Sequence, residues 1–127
     1  MRFTYTALPG RVVFGAGVLA SLPDEAALLG KRALVLCTPG HKSLGQRAAA
    51  LLGEHAVGIF DRAVMHVPVE TANAACEFAQ AASADLCVAI GGGSTTGLAK
   101  ALTGLPRVAT REATEIRGKM KALRLDM

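Results

Sequence analysis

The chain has 127 residues, of which 51% are hydrophobic and 19% charged, with a formal net charge of +4. This composition excludes a disordered chain, and the length suits one globular domain. No apolar stretch approaches the roughly 20 residues that a helical membrane crossing needs, and the first residues lack the apolar core of a signal peptide. Three cysteines without C-x-x-C spacing argue against a disulfide framework or a zinc knuckle. We therefore expect a cytoplasmic protein with free thiols and no membrane partner.

The net charge is concentrated at the carboxyl end of the sequence. From Arg107 onward there are six basic and three acidic residues, and Ile116, Met120 and Leu123 follow helical spacing. This shift predicts two parts, an α/β domain over residues 1–106 and a basic helical tail over residues 107–127. Aromatic residues make up only 4% of the chain, and the tail mixes both charges, so we expect no nucleic-acid partner. The alternative, nucleic-acid binding through the tail, predicts that deletion of residues 107–127 abolishes binding.

Strand and helix patterns alternate along residues 1–106. The first two β-rich runs flank a Pro-Gly turn and predict a hairpin, and the later apolar runs are typical of strands buried on both faces. The predicted order after the hairpin is a helix through Leu22 and Leu28, strand 32–37, helix 42–52, strand 56–60, helix 70–83, strand 86–90 and helix 95–102. Short connections between these elements predict an open, mainly parallel α/β sheet of the Rossmann-like class, whose ligand crevice lies at the carboxyl ends of the strands.

Two glycine clusters are candidates for a phosphate site. The first, Gly15-Ala16-Gly17-Val18-Leu19-Ala20, fits a loose G-x-G-x-x-A pattern, but the next strand ends in Cys37-Thr38 without the acidic residue that holds ribose hydroxyls. We interpret this cluster as a turn that leaves the hairpin.

The second cluster runs from Gly91 to Lys100 and follows the clearest buried strand. Glycines let the backbone approach an anion closely, and the free N–H groups and dipole of the next helix attract negative charge. Leu98 stands after Gly97, where a P-loop has lysine, so an ATPase is disfavoured. Alternatively, the glycines only allow the helix to pack closely on the sheet.

Four separated blocks of the sequence resemble the maleylacetate reductase branch of the iron-containing alcohol dehydrogenase superfamily. The blocks stand in the family's order and lie between about residues 1 and 106. They are Ala7–Gly17, Ala33–Pro39, His66–Ala72 and Cys87–Lys100.

The resemblance implies an NADH- or NADPH-dependent reductase that converts maleylacetate to 3-oxoadipate in the breakdown of aromatic compounds. It implies that Gly92, Gly93, Ser94 and Thr95 contact the cofactor pyrophosphate and that Thr38 lies near the adenosine ribose. Many superfamily members have aspartate at the position of Thr38, and its absence implies that both nucleotides are accepted. Gly97, also assigned to the cofactor site, replaces another frequent aspartate and favours the maleylacetate reductase branch.

The family pattern also predicts what this chain lacks. Family members continue past the position of Pro106 into a helical domain that supplies most substrate-side groups and the metal ligands, so we expect a truncated relative with no catalytic residue and no metal site. His41 follows the Thr38 turn and could approach a phosphate, whereas His55 and His66 are expected on the surface. A small dicarboxylic keto acid is expected to bind only if the missing domain is supplied, and uncovered apolar surface predicts a homo-oligomer. The alternative is a non-catalytic module that binds nucleotides or self-associates.

Overall fold

An amino-terminal hairpin opens the chain in the computed structural model, which describes residues 3–7, 10–14, 16–65, 68–103 and 121–125. Strand β1 (Phe3–Ala7) pairs antiparallel with β2 (Gly10–Phe14), with Phe3 opposite Phe14. The predicted hairpin is therefore confirmed.

A four-stranded parallel sheet forms the centre of the molecule. Its strands are β3 (Ala33–Leu36), β4 (Ala56–Phe60), β5 (Leu86–Ile90) and β6 (Lys121–Leu125), in the spatial order β4-β3-β5-β6. All three pairings are parallel, and the register between β3 and β4 shifts after Ala33. Apolar runs such as Leu86–Ile90, in which every residue is buried, suit a sheet that is covered on both faces.

Within the described ranges, four α-helices accompany the sheet, together with 3-10 turns at Val18–Ser21, Pro39–His41 and Gly53–His55. The helices are α1 (Leu22–Ala27), α2 (Lys42–Leu52), α3 (Val69–Ala81) and α4 (Gly93–Thr103). Helix α2 connects β3 to β4, and α3 connects β4 to β5. The predicted Rossmann-like α/β architecture is thus confirmed.

The buried side chains form two clusters, one on each face of the sheet. Residues of β3 and the residue after it alternate between the clusters: Leu34 and Leu36 pack with α3 and α4, whereas Val35 and Cys37 pack with α1 and α2. Gly58 in β4 makes room for the Phe78 ring of α3, since a β-carbon at Gly58 would lie 2.5 Å from Phe78 Cε1. Helices therefore cover both faces of the sheet in the described part of the chain.

The largest differences from the predicted elements lie at the carboxyl end, since the bounds of β3 and α3 differ from those predicted by only one or two residues. The prediction of a helical tail is wrong for Lys121–Leu125, which form β6 beside β5. Pairing with the open edge of β5 satisfies the backbone groups of these residues and overrides a short helical pattern. Residues 107–120 lie outside the described residues, and the domain boundary at residue 106 stays a prediction. Helix α4 begins at Gly93, two residues before the predicted start. Within the described ranges, no helix has the length and apolarity to cross a membrane.

Candidate functional site: a glycine loop at the carboxyl edge of the sheet

The strand order determines where a ligand can enter. Strands β3 and β5 are neighbours, yet the chain leaves β3 toward β4 on one side and leaves β5 toward β6 on the other. Such a switch point opens a crevice outside the carboxyl ends of the two strands. The turn after β3, which contains Thr38, and the residues Gly91–Gly93 after β5, here called the glycine loop, both lie at this edge.

The glycine loop leads directly into the first turn of α4. The amide of Thr96 donates to the Gly92 carbonyl at 3.2 Å, which closes the first helical turn. The backbone N–H groups of Gly92, Gly93, Ser94 and Thr95 therefore precede the first intrahelical bond and have no acceptor within the helix. Gly92 and Gly93 are exposed, and a β-carbon on either would have no heavy atom within 4 Å. This open cradle fits a phosphate-bearing cofactor.

Two threonine hydroxyl groups beside the loop bond to its own backbone. Thr95, with 0% of its surface exposed, donates from Oγ1 to the Gly92 carbonyl at 3.1 Å, and Thr96 Oγ1 donates to the same oxygen at 3.0 Å. Thr95 can thus reach an anion only through its backbone N–H. Ser94 is half-buried. Gly97 is the fifth residue of α4, where its N–H is bonded within the helix, so it lies behind the cradle.

Thr38 and His41 follow β3 at the same edge of the sheet as the glycine loop. Thr38 is half-buried and extended (φ −79°, ψ 161°), and its carbonyl accepts the His41 amide at 3.0 Å. The imidazole of His41 lies against Gly91, where a β-carbon would be 3.2 Å from Nδ1. Gly91 has φ +110°, a conformation that favours glycine. The structure therefore brings Thr38, His41 and the glycine loop together across the gap between β3 and β5.

Charged groups near this edge are largely engaged with the protein. Lys42 Nζ lies 3.4 Å from Asp61 Oδ2, and the Arg62 guanidinium lies 4.7 Å from the centre of the Phe60 ring. Cys37 is buried beneath them, and burial, followed by the Asp61 charge, raises the pKa of its thiol. The raised pKa keeps more of this thiol protonated and so lowers its nucleophilicity at neutral pH.

The described part of the chain groups no metal ligands, and its first glycine cluster lies away from the parallel sheet. Across residues 16–65 and 68–102, no three His, Cys, Asp or Glu side chains converge as metal ligands would. The described side chains therefore do not fit a metal ion. Gly17 of the first glycine cluster has φ +74° and begins a 3-10 turn after the antiparallel β2, outside the parallel sheet. This position matches its interpretation as a turn.

The fold and the placement of the glycine loop define a Rossmann-like domain with its crevice at a switch point. A family model for iron-containing alcohol dehydrogenase matches residues 9–122, and the chain belongs to this family. The resemblance noted from the sequence is confirmed. The family comprises NAD(P)-dependent oxidoreductases.

Maleylacetate reductases are among the most similar relatives. The enzyme of Sphingobium indicum is 55% identical over 103 residues, which cover 81% of this chain and 29% of that protein. The enzyme of Burkholderia cepacia is 52% identical over 108 residues, covering 82% and 31%. The crystal structure of maleylacetate reductase from Agrobacterium tumefaciens superposes with a TM-score of 0.77 at 41% identity, covering 96% of this chain and 32% of that one. The chain thus spans less than a third of the length of these relatives.

Sequence reasoning named the glycine loop and Thr38 but missed two contacts. Neither the packing of His41 on Gly91 nor the Lys42–Asp61 ion pair joins residues that are adjacent in sequence. Both contacts depend on which strands are neighbours in the sheet. The sequence indicated only that His41 follows the Thr38 turn.

Proposed function

We propose that this chain provides the nicotinamide-dinucleotide site of a reductase that converts maleylacetate, a dicarboxylic keto acid, to 3-oxoadipate. The observation that carries the proposal is the open start of α4 at the switch point, where Gly92 and Gly93 leave space for an anion. The similarity to maleylacetate reductases supports the choice of substrate.

Each site residue has a role in this proposal. Backbone N–H groups of Gly92, Gly93, Ser94 and Thr95 bind the pyrophosphate, because they point out of the first helical turn and lie at the positive end of the helix dipole. Thr38 lies near the adenosine ribose, since it follows the strand next to β5. Gly97 acts indirectly, as a small residue behind the cradle. When bound, the dinucleotide supplies the hydride, and no described side chain is assigned a catalytic role.

Both NADH and NADPH are proposed as cofactors. A carboxylate at the end of β3 would repel the 2′-phosphate of NADPH, and Thr38 carries none. The acidic residue described at the end of the neighbouring β4, Asp61, is paired with Lys42. The local charge therefore does not discriminate strongly against the additional phosphate.

The proposal is tested by fluorescence titration of the purified chain with NADH and by the substitution Gly93→Asp. We expect saturable binding in the parent and a loss of at least tenfold in the variant, because the new carboxylate stands where the pyrophosphate binds. The substitution is exposed and meets no neighbouring atom, so the fold is expected to persist, which circular dichroism verifies. Gln80→Glu, exposed in the last turn of α3, adds the same charge at the opposite edge and should bind like the parent. A folded parent that does not bind NADH contradicts the proposal.

A further inference from the structure

His41 is placed to contribute a side chain to a site otherwise built from backbone groups. It ends the 3-10 turn Pro39–His41 and precedes α2, so its backbone is fixed by two helical segments. The residue is exposed, yet its ring is held against the glycine loop, with Nδ1 at 3.2 Å and Cε1 at 3.7 Å from the β-carbon position of Gly91. The imidazole therefore borders the cradle on the side of β3.

Three described side chains near this edge have other partners. Its neighbour Lys42 is paired with Asp61 at 3.4 Å, and the Arg62 guanidinium lies over Phe60. Thr95 directs its hydroxyl to the Gly92 carbonyl. An imidazole can donate a hydrogen bond from either nitrogen, and when protonated it adds a positive charge.

We propose that the His41 imidazole is a direct ligand of the cofactor pyrophosphate, donating a ring N–H to a phosphate oxygen. The inference rests on the proposed function, because it takes the glycine loop as the phosphate site. A pyrophosphate between the amides of Gly92–Thr95 and the His41 ring would be held from both strand ends. Both nucleotides carry the pyrophosphate, whereas only NADPH carries the 2′-phosphate. Comparing the binding of NADH and NADPH therefore shows which of these groups His41 contacts.

The test compares NADH and NADPH binding by the parent and by His41→Phe, which keeps a ring against Gly91 but removes both nitrogens. We expect His41→Phe to bind both nucleotides about tenfold more weakly than the parent, because one hydrogen bond to a charged group is lost. His41→Arg, which restores a donor, should recover most of the affinity. His55→Phe is the matched control, since Nδ1 of His55 contacts the Lys31 carbonyl at 3.0 Å at the opposite edge of the sheet. In parallel, the proton resonance on Cε1 of His41, assigned by its loss in His41→Phe, should shift when NADH is added.

The possible results separate this inference from the proposed function. If Gly93→Asp abolishes binding while folded His41→Phe binds like the parent, the ring only packs against Gly91 and the inference is wrong. A loss confined to NADPH would place His41 at the 2′-phosphate and would also overturn it. Failure of the folded parent to bind NADH would refute the proposed function and, with it, this inference.

Discussion

At the scale of single residues, Cys87 in β5 and Cys37 directly after β3 show how burial lowers the reactivity of a thiol. Cys87 has no exposed surface, and burial raises the pKa of its thiol from 9.0 to about 12. Cys37 is equally enclosed, and the pKa of its thiol is raised by the same cause. The thiolate is the nucleophile in alkylation, so both groups should be inert in the folded chain.

We predict that iodoacetamide at pH 8 modifies Cys37 and Cys87 far more slowly in the native chain than in urea. With a pKa of about 12, about one Cys87 thiol in 10,000 is ionised at that pH. Mass spectrometry of the alkylated peptides gives both rates, and the unfolded chain is the control. Native Cys87 that reacts at the unfolded rate would contradict the burial of β5.

The site residues also show what a sequence can reveal at this scale. The sequence marked the cluster after Gly91 because glycines between a buried strand and a helix suit an anion, although close packing was an alternative. The family resemblance assigned Gly92, Gly93 and Ser94 to the pyrophosphate and Thr38 to the ribose, and these roles stay predictions. The inward orientation of the Thr95 hydroxyl could not be predicted, because it depends on the first turn of α4 starting at Gly93. The same residue types could equally have pointed their hydroxyl groups outward.

At the scale of elements, Asp85 connects the two loops that lead into β3 and β5. Its carboxylate accepts the backbone N–H of Arg32 at 2.8 Å and that of Lys31 at 3.0 Å. These bonds hold the amino ends of the two central strands in register, opposite the edge that carries the site.

We predict that Asp85→Ala lowers the free energy of unfolding by about 1–2 kcal/mol, because two backbone donors lose a charged acceptor in a partly exposed position. Asp85→Asn, which keeps one acceptor oxygen, should lose less. Urea denaturation measures both values, and Glu77→Ala on the exposed face of α3 should change stability by less than about 0.5 kcal/mol. Equal stability of Asp85→Ala and the parent would show that the bonds to Asp85 do not stabilise the fold.

The elements with strong patterns could be predicted closely from the sequence. Helix 42–52 and strands 56–60 and 86–90 have their predicted bounds, because apolar period and turn residues agree there. The pattern failed at Lys121–Leu125, where a few apolar residues at helical spacing fit a strand equally well. These residues form a strand because the edge of β5 is available for pairing. A local sequence pattern does not reveal that such an edge is near.

At the scale of the whole molecule, the spatial order β4-β3-β5-β6 is the feature that creates the site. It places the end of β3 beside the end of β5, so that residues more than 50 positions apart share one crevice, as Thr38 and Gly92 do. A sequence with alternating strands and helices predicts such a crevice, but not which two strand ends form it. Under the proposed function, the glycine loop and Thr38 form the nucleotide side of that crevice. The described residues contain no cluster of metal ligands.

We predict that the purified 127-residue chain binds NADH but does not oxidise it when maleylacetate is added. Conversion of maleylacetate to 3-oxoadipate reduces the carbon–carbon double bond next to the ketone and leaves the ketone in place. Hydride transfer therefore needs the accepting alkene carbon held about 3–3.5 Å from the nicotinamide and a group that polarises the conjugated carbonyl. More than two thirds of the length of the relatives has no counterpart in these 127 residues.

The absorbance of NADH measures turnover, and a chimera that joins this chain to the remaining part of the Agrobacterium tumefaciens enzyme supplies the missing groups. The chimera should be active, and Gly93→Asp within it should abolish activity through loss of cofactor binding. Turnover by the 127 residues alone would contradict the prediction and would locate the catalytic groups within them.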